Sequence, residues 1–214
     1  GGREGMSSET VSDGSKFTGF RIYKYILDLS SQNGKQDQWP YLRLPEIFLS
    51  YAEALNESSE RMSHKQEILD NLNKIRHRAG IAEYGTGTDE NGFTRIKINF
   101  SDQKEVRRLI HKERRVEFVG EGVRYHDLRR WKTAHYGIGN LNEQGENPDW
   151  GVNGPDYGMN YYGTEYTDQG DNAFFKRTKY MDRVYPRKFY WYPIHQSEID
   201  KDPTLVQGPF WLGE

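Results

Sequence analysis

The sequence predicts a mainly α-helical protein with long irregular loops and a few short β-strands, and three observations lead there. Several segments space their apolar residues at the 3.6-residue period of a helix that buries one face. Those segments are bounded by residues that start or stop helices. A long stretch, 133–175, lacks such a period and is rich in Gly, Asn and aromatic residues instead.

The first helix is expected within 41–56, where Pro45 suits an opening turn and Glu46 suits the positive end of the helix dipole. In the second, Ser63 and Gln66 have the spacing of a capping box. Ile68, Leu72, Ile75 and Ala79 then share a face until Gly80 supplies a stop. These two form a helical hairpin. A third helix is expected from near Asp102 to about Val119, with Val106, Leu109, Ile110 and Val116 on its apolar side and Glu113 and Glu117 close to that side. A short fourth helix follows over 121–131. Phe20–Ile26 and Phe93–Phe100 read as short strands, and 1–19 as a loop or disordered start.

The 214 residues are read as one domain fragment, 1–214, long enough for a sizeable core. Only 34% of them are hydrophobic and the mean hydropathy is -0.98, so 5 Trp, 15 Tyr and 10 Phe must supply much of the core. The net charge of -2 offers no global attraction to nucleic acid. No apolar run has the ~20 residues of a membrane-spanning helix. With no cysteine, thiolate metal sites and cysteine nucleophiles are excluded. The opening Gly1-Gly2-Arg3 lacks an initiator Met and a leader, and the chain is read as a piece of a longer precursor.

Phosphate-loop, dinucleotide, zinc-protease and serine-hydrolase motifs are missing, and the six histidines are scattered. No metal site and no cofactor is expected. Asp89-Glu90-Asn91-Gly92 resembles a calcium loop but lacks its ligand spacing and is read as a turn. Residues 104–132 hold ten Lys/Arg, interleaved with five acids, which dilutes any field for nucleic acid. Glu113 and Glu117 are expected to form a structural charge network with arginines such as Arg43, Arg76, Arg78 or Arg124, because a half-buried carboxylate needs a partner.

Segment 133–175 has seven acids, no Lys or Arg and eight glycines. Aromatic rings stack on the C–H faces of sugars while Asn and Asp reach hydroxyls, so this composition fits a carbohydrate surface. It equally fits loops that tuck aromatics onto a core. The candidate ligand contacts are Trp150, Tyr157, Tyr161, Tyr162 and Tyr166, with Asn153, Asp156 and Asn160 on hydroxyls and Trp39 as a further ring.

Four ordered strings carry a family likeness: Tyr41–Ala54, Leu72–Gly80, Glu113–Phe118 with Glu121–Trp131, and Tyr192–Gln207. They resemble the C-terminal part of SusD/RagB-family proteins. The resemblance implies a tetratricopeptide-like helical scaffold with ligand-bearing irregular loops. It further implies a non-catalytic, surface-exposed outer-membrane lipoprotein of Bacteroidetes type that captures glycans for a SusC-like TonB-dependent transporter. The membrane would be met only through an N-terminal lipid anchor absent from this stretch. His195 stands where the family usually has Pro, and Gly208-Pro209-Phe210-Trp211 departs from the usual Asn-Pro-Gly-aromatic ending. Two alternatives stand beside glycan capture. One is a module that docks on the transporter or binds peptide; the other is a glycoside hydrolase using acids such as Glu143 and Asp149.

Overall fold

A computed structural model describes Lys24 and residues 40–137, 151–159 and 177–211. The chain divides into two compact units, Tyr23–Arg124 and Gly1–Ile22 with Tyr125–Glu214. Among the described residues it is mainly helical, with five α-helices and one two-stranded sheet.

The first unit is built on α1 (Leu44–Glu57), α2 (Lys65–Ala79) and α3 (Gln103–Glu117), with α1 packed on both others. Their apolar stripes meet in one core of Leu49, Ala52, Leu55, Ile68, Leu72, Ile75, Val106, Leu109 and Ile110, closed by Tyr84 and Phe118. Burying each of the larger aliphatic side chains contributes about 1.5–3 kcal/mol, so this contact is what holds short helices in shape. Pro45 opens α1 as expected. Gly80 ends α2 in the left-handed conformation (φ 66°), and Ile81 N–H returns to Arg76 O at 3.1 Å. Asp102 caps α3, its carboxylate accepting from Lys104 and Glu105 N–H at 2.9 and 3.2 Å.

Three details of these helices differ from the sequence expectation. Ser63 is not a helix cap: its hydroxyl donates back to Glu60 O at 2.8 Å, because the 58–64 link already folds as successive turns, and His64 takes the N-cap place. Val116 is exposed, since the buried stripe of α3 passes through Glu113 instead, and Ala79 is exposed at the end of α2, beyond the last buried residues Ile75 and Arg76. Residues 93–100 form no strand. They pair only through single bridges, Thr88 with Thr94 and Tyr84 with Ile96, within a loop gathered by Asp89, whose carboxylate accepts from Glu83, Asn91 and Phe93 N–H. Burial would raise this carboxyl's pKa, but the three backbone donors outweigh it and hold the group below its ordinary value. The turn read at 89–92 is therefore an aspartate-centred one.

α4 (Val123–Arg130) leads into the second unit, where β1 (Gly154–Met159) and β2 (Arg177–Arg183) pair antiparallel from Gly154 with Arg183 to Met159 with Arg177. The register shifts at Asp156/Tyr157. β1 lies inside the stretch read as loop. Its Gly154, Pro155 and Gly158 carry little strand propensity, and a partner some twenty residues on supplies the pairing. A 3-10 turn, Arg187–Tyr190, and α5 (Gln196–Lys201) follow.

Both departures from the family's ending have structural roles. The His195 ring accepts from Ser197 N–H and caps α5. Phe210 holds the left-handed conformation (φ 66°) where the pattern has glycine, a strain of about 1–2 kcal/mol for a side-chain-bearing residue. The tail around it is fastened by Gln207, whose amide exchanges two 2.8 Å bonds with the backbone of Ile194.

Candidate functional site

In the first unit the two carboxylates on the buried stripe of α3 are bound by arginines. Arg76 donates to Glu113 at 2.5 Å, and the Tyr84 hydroxyl donates to the same carboxylate at 2.8 Å. Burial, then the neighbouring Glu113, pushes the Tyr84 hydroxyl pKa well up. Glu117 lies between Arg43 at 2.7 Å and Arg78 at 2.5 Å. Arg43 also reaches Glu121 at 2.5 Å, and Lys24 pairs with Glu121 as well. Arg124, also named from the sequence, is half-buried in α4. The ion pairs join Arg43, at the start of α1, and Arg76 and Arg78, in α2, to the carboxylates of α3.

Burial would raise the Glu121 carboxyl, but hydrogen bonds from Arg43 and Lys24 outweigh it and hold the group below its ordinary 4.5. The folded pKa being the lower one, this pairing stabilises the fold above pH 4.5 and is lost as pH falls through the folded value. In acid titrations followed by circular dichroism, Glu121→Gln is therefore expected to lose stability less steeply below that pH than the native chain. Equal slopes would exclude Glu121 as a contributor.

The outer face of α2 and the 83–95 loop enclose an open polar groove of about 660 Å³, with Asp70, Lys74, His77, Glu83, Glu90 and Arg95 among its walls. Within it Glu83 accepts from Arg95 at 2.9 Å and contacts His77 at 3.2 Å. Among the described residues no group of three or more His, Asp or Glu could hold a metal, and no helix is long and apolar enough to cross a membrane.

In the second unit, Val152 and Asn153 N–H bond to Ala134 and Tyr136 O at 3.1 Å, so the strands of chain entering and leaving 138–150 are tied together. Gly151 is required at this crossing, because a Cβ there would stand 2.2 Å from Tyr136 O. Asn153 locks the base. Its amide donates to His135 O at 2.6 Å and Tyr185 O at 3.3 Å, and accepts from Tyr185 N–H. The amide is thus engaged with backbone at the foot of the candidate loop. Asp156 and Tyr157 stand in β1 at the register shift. Trp39, Trp150, Asn160, Tyr161, Tyr162 and Tyr166 lie outside the described residues.

An aromatic cluster, whose 189–192 part was read from the sequence only as a tail, stands in the same unit. The Arg129 guanidinium lies over the rings of Tyr125 and Tyr192, 5.2 and 5.0 Å from their centroids. It donates to the Tyr125 hydroxyl at 2.6 Å, Phe189 O at 2.8 Å and Tyr190 O at 2.7 Å. Phe189 lies 6.2 Å from Trp211, and Trp191 lies 5.9 Å from Phe210, ring to ring. Tyr190 turns inward onto His135 and Tyr185, whereas Tyr192 remains 76% exposed.

Among the described residues these features define a mainly helical scaffold with a small two-stranded sheet and an aromatic cluster near the chain's end. The SusD family model matches residues 2–211, and the chain belongs to the SusD family. It is similar to SusD-like protein P2 of Formosa agariphila, with 32% identity over 120 residues that cover 54% of this chain and 21% of that protein. It is also similar to the crystal structure of a SusD-like protein from Bacteroides fragilis. There the identity is 26% and the TM-score 0.53, over 81% of this chain and 26% of the other. The chain thus spans roughly a quarter of the length of these relatives.

Proposed function

We propose that the protein is a non-catalytic glycan-binding component of nutrient uptake, part of a surface-exposed outer-membrane lipoprotein that hands oligosaccharide to a SusC-like TonB-dependent transporter. The observation that carries this reading is the family match over residues 2–211. Both compact units would belong to one SusD-like C-terminal region. Rings in the 133–175 segment, Trp150 and Tyr161 foremost, would stack on sugars, with Asp156 and Asn160 directed to hydroxyls. Asn153 would act at the base, holding that segment in place through its backbone bonds.

The decisive experiment is Trp150→Ala with Tyr161→Ala, read by isothermal calorimetry against soluble polysaccharides and by co-purification with the transporter. The expected result is glycan affinity reduced by about tenfold or more, the scale of a lost stacking contact, with the transporter complex intact. Loss of the complex with glycan binding unchanged would overturn capture in favour of docking. Release of reducing sugar that disappears in Glu143→Gln or Asp149→Asn would overturn the non-catalytic reading.

A further inference from the structure

We propose that the surface formed by Tyr125 and Tyr192 about Arg129, with Phe189 beside them, is a stacking platform for an acidic glycan, a polysaccharide carrying uronate or sulfate groups. This rests on the glycan-capture reading and adds to it a second site and a substrate class. The rings are unusually open for their size: Tyr192 is 76% and Tyr125 46% exposed, with Phe189 and Trp191 also exposed. Clustered exposed aromatics of this kind mark interaction surfaces rather than ordinary solvent-facing residues.

They are also held in place. Arg129 covers one side of the Tyr125 and Tyr192 rings and is itself fixed by three hydrogen bonds, two of them to backbone carbonyls of the 3-10 turn. Rings fixed before binding lose little side-chain entropy when a ligand lands on them. The negative ring face meets the weakly positive C–H face of a pyranose, a contact that needs no charge on the sugar.

The charge around the platform selects the kind of sugar. By sequence, residues 177–192 carry five Lys/Arg and one Asp, of which Lys188 is the cation placed against the rings, whereas 133–175 carries seven acids and no Lys or Arg. Asp182 is neutralised locally by Lys179 at 2.7 Å, as Asp127 is by Arg130 at 3.1 Å and Glu198 by Lys201 at 2.7 Å. Lys188 makes no ion pair among the described residues and stands over the Trp211 ring, 5.0 Å from its centroid, beside Phe189. A carboxylate or sulfate on a stacked sugar would therefore find an available ammonium at the rim of the rings. The run Arg187-Lys188-Phe189-Tyr190-Trp191-Tyr192 places both elements in one short segment, its first four residues in the 3-10 turn.

The test is calorimetric titration of the 214-residue chain with a panel of polygalacturonate, alginate, chondroitin sulfate and a sulfated galactan, set beside neutral arabinan and laminarin. Titrations run at low and at high sodium chloride. At least one acidic polymer is expected to bind, more weakly at high salt. Tyr192→Ala and Lys188→Glu are each expected to weaken it about tenfold, the scale of one lost stacking or charge-assisted contact. Tyr192→Phe keeps the ring and should bind as the native chain does, which separates stacking from loss of fold. If neutral polymers bind as well as acidic ones, and Tyr192→Ala leaves them unchanged while Trp150→Ala does not, the platform is overturned and capture by the 133–175 segment stands. If Tyr192→Ala abolishes transporter association and leaves glycan binding intact, the surface is a protein-docking one and the proposal fails. If this chain binds no polymer, the platform fails. Uptake by the complete protein with its transporter then decides the capture reading separately.

Discussion

Replacing Glu113 with alanine is expected to lower the free energy of unfolding by about 3–5 kcal/mol, the range for removing one partner of a buried ion pair. Glu113 is 5% exposed, and its carboxylate accepts from both Arg76 and Tyr84. Without it the Arg76 guanidinium stays in the interior. Its Nε still donates to Ala82 O at 2.5 Å and its plane still lies over the Tyr84 ring at 4.4 Å, but no anion balances its charge. The buried Tyr84 hydroxyl loses its acceptor at the same time. The size of the effect comes from the stranded groups more than from the pair's own net worth. Replacing Arg76 and Glu113 together by methionine and leucine should accordingly cost much less than the single change. Urea denaturation with an unchanged m-value measures both. A loss under about 1 kcal/mol for Glu113→Ala would show that the interior rearranges to let water reach Arg76.

The same cluster shows how much of the molecule was legible beforehand. Glu113 and Glu117 were visible as anomalies because helical period is a local property: residues three and four apart share a face whatever surrounds them. That they need cationic partners followed from the cost of burial, and Arg43, Arg76, Arg78 and Arg124 were nameable as candidates. Which arginine meets which carboxylate depends on how α1, α2 and α3 cross, and sequence spacing does not contain that. Ser63 was misread because a capping box competes with the turn preceding it, and the turn's own hydrogen bonds prevailed. β1 was missed because its Gly and Pro content argues for a loop, while its pairing depends on β2 beyond a long insertion. The aromatic run 189–192 was seen but not resolved. Four consecutive rings carry no period, so nothing in their order says that Tyr190 turns onto His135 while Tyr192 faces outward.

Leu72→Ala is the second change expected to be severe, at about 2–5 kcal/mol, because truncation removes transfer free energy and leaves a cavity that the surroundings only partly fill. Leu72 is fully buried in the core where α1, α2 and α3 meet, and its neighbours Leu49, Ile68 and Ile110 are equally inaccessible. Such a site has little room to collapse, since each wall is a helix held by its own stripe and, nearby, by the Arg76–Glu113 pair. Val116→Ala offers the internal comparison. Sequence period places both residues on apolar faces, but Val116 is 63% exposed, and its truncation should stay within about 0.5 kcal/mol. Thermal or urea unfolding of the two variants therefore tests the path of the buried stripe along α3. A large loss at Val116 with a small one at Leu72 would place the core on the wrong side of the hairpin. The expected order instead makes Glu113, a charged residue, the continuation of the α3 stripe, which is why its partners had to be supplied by α2 and the loop that follows it.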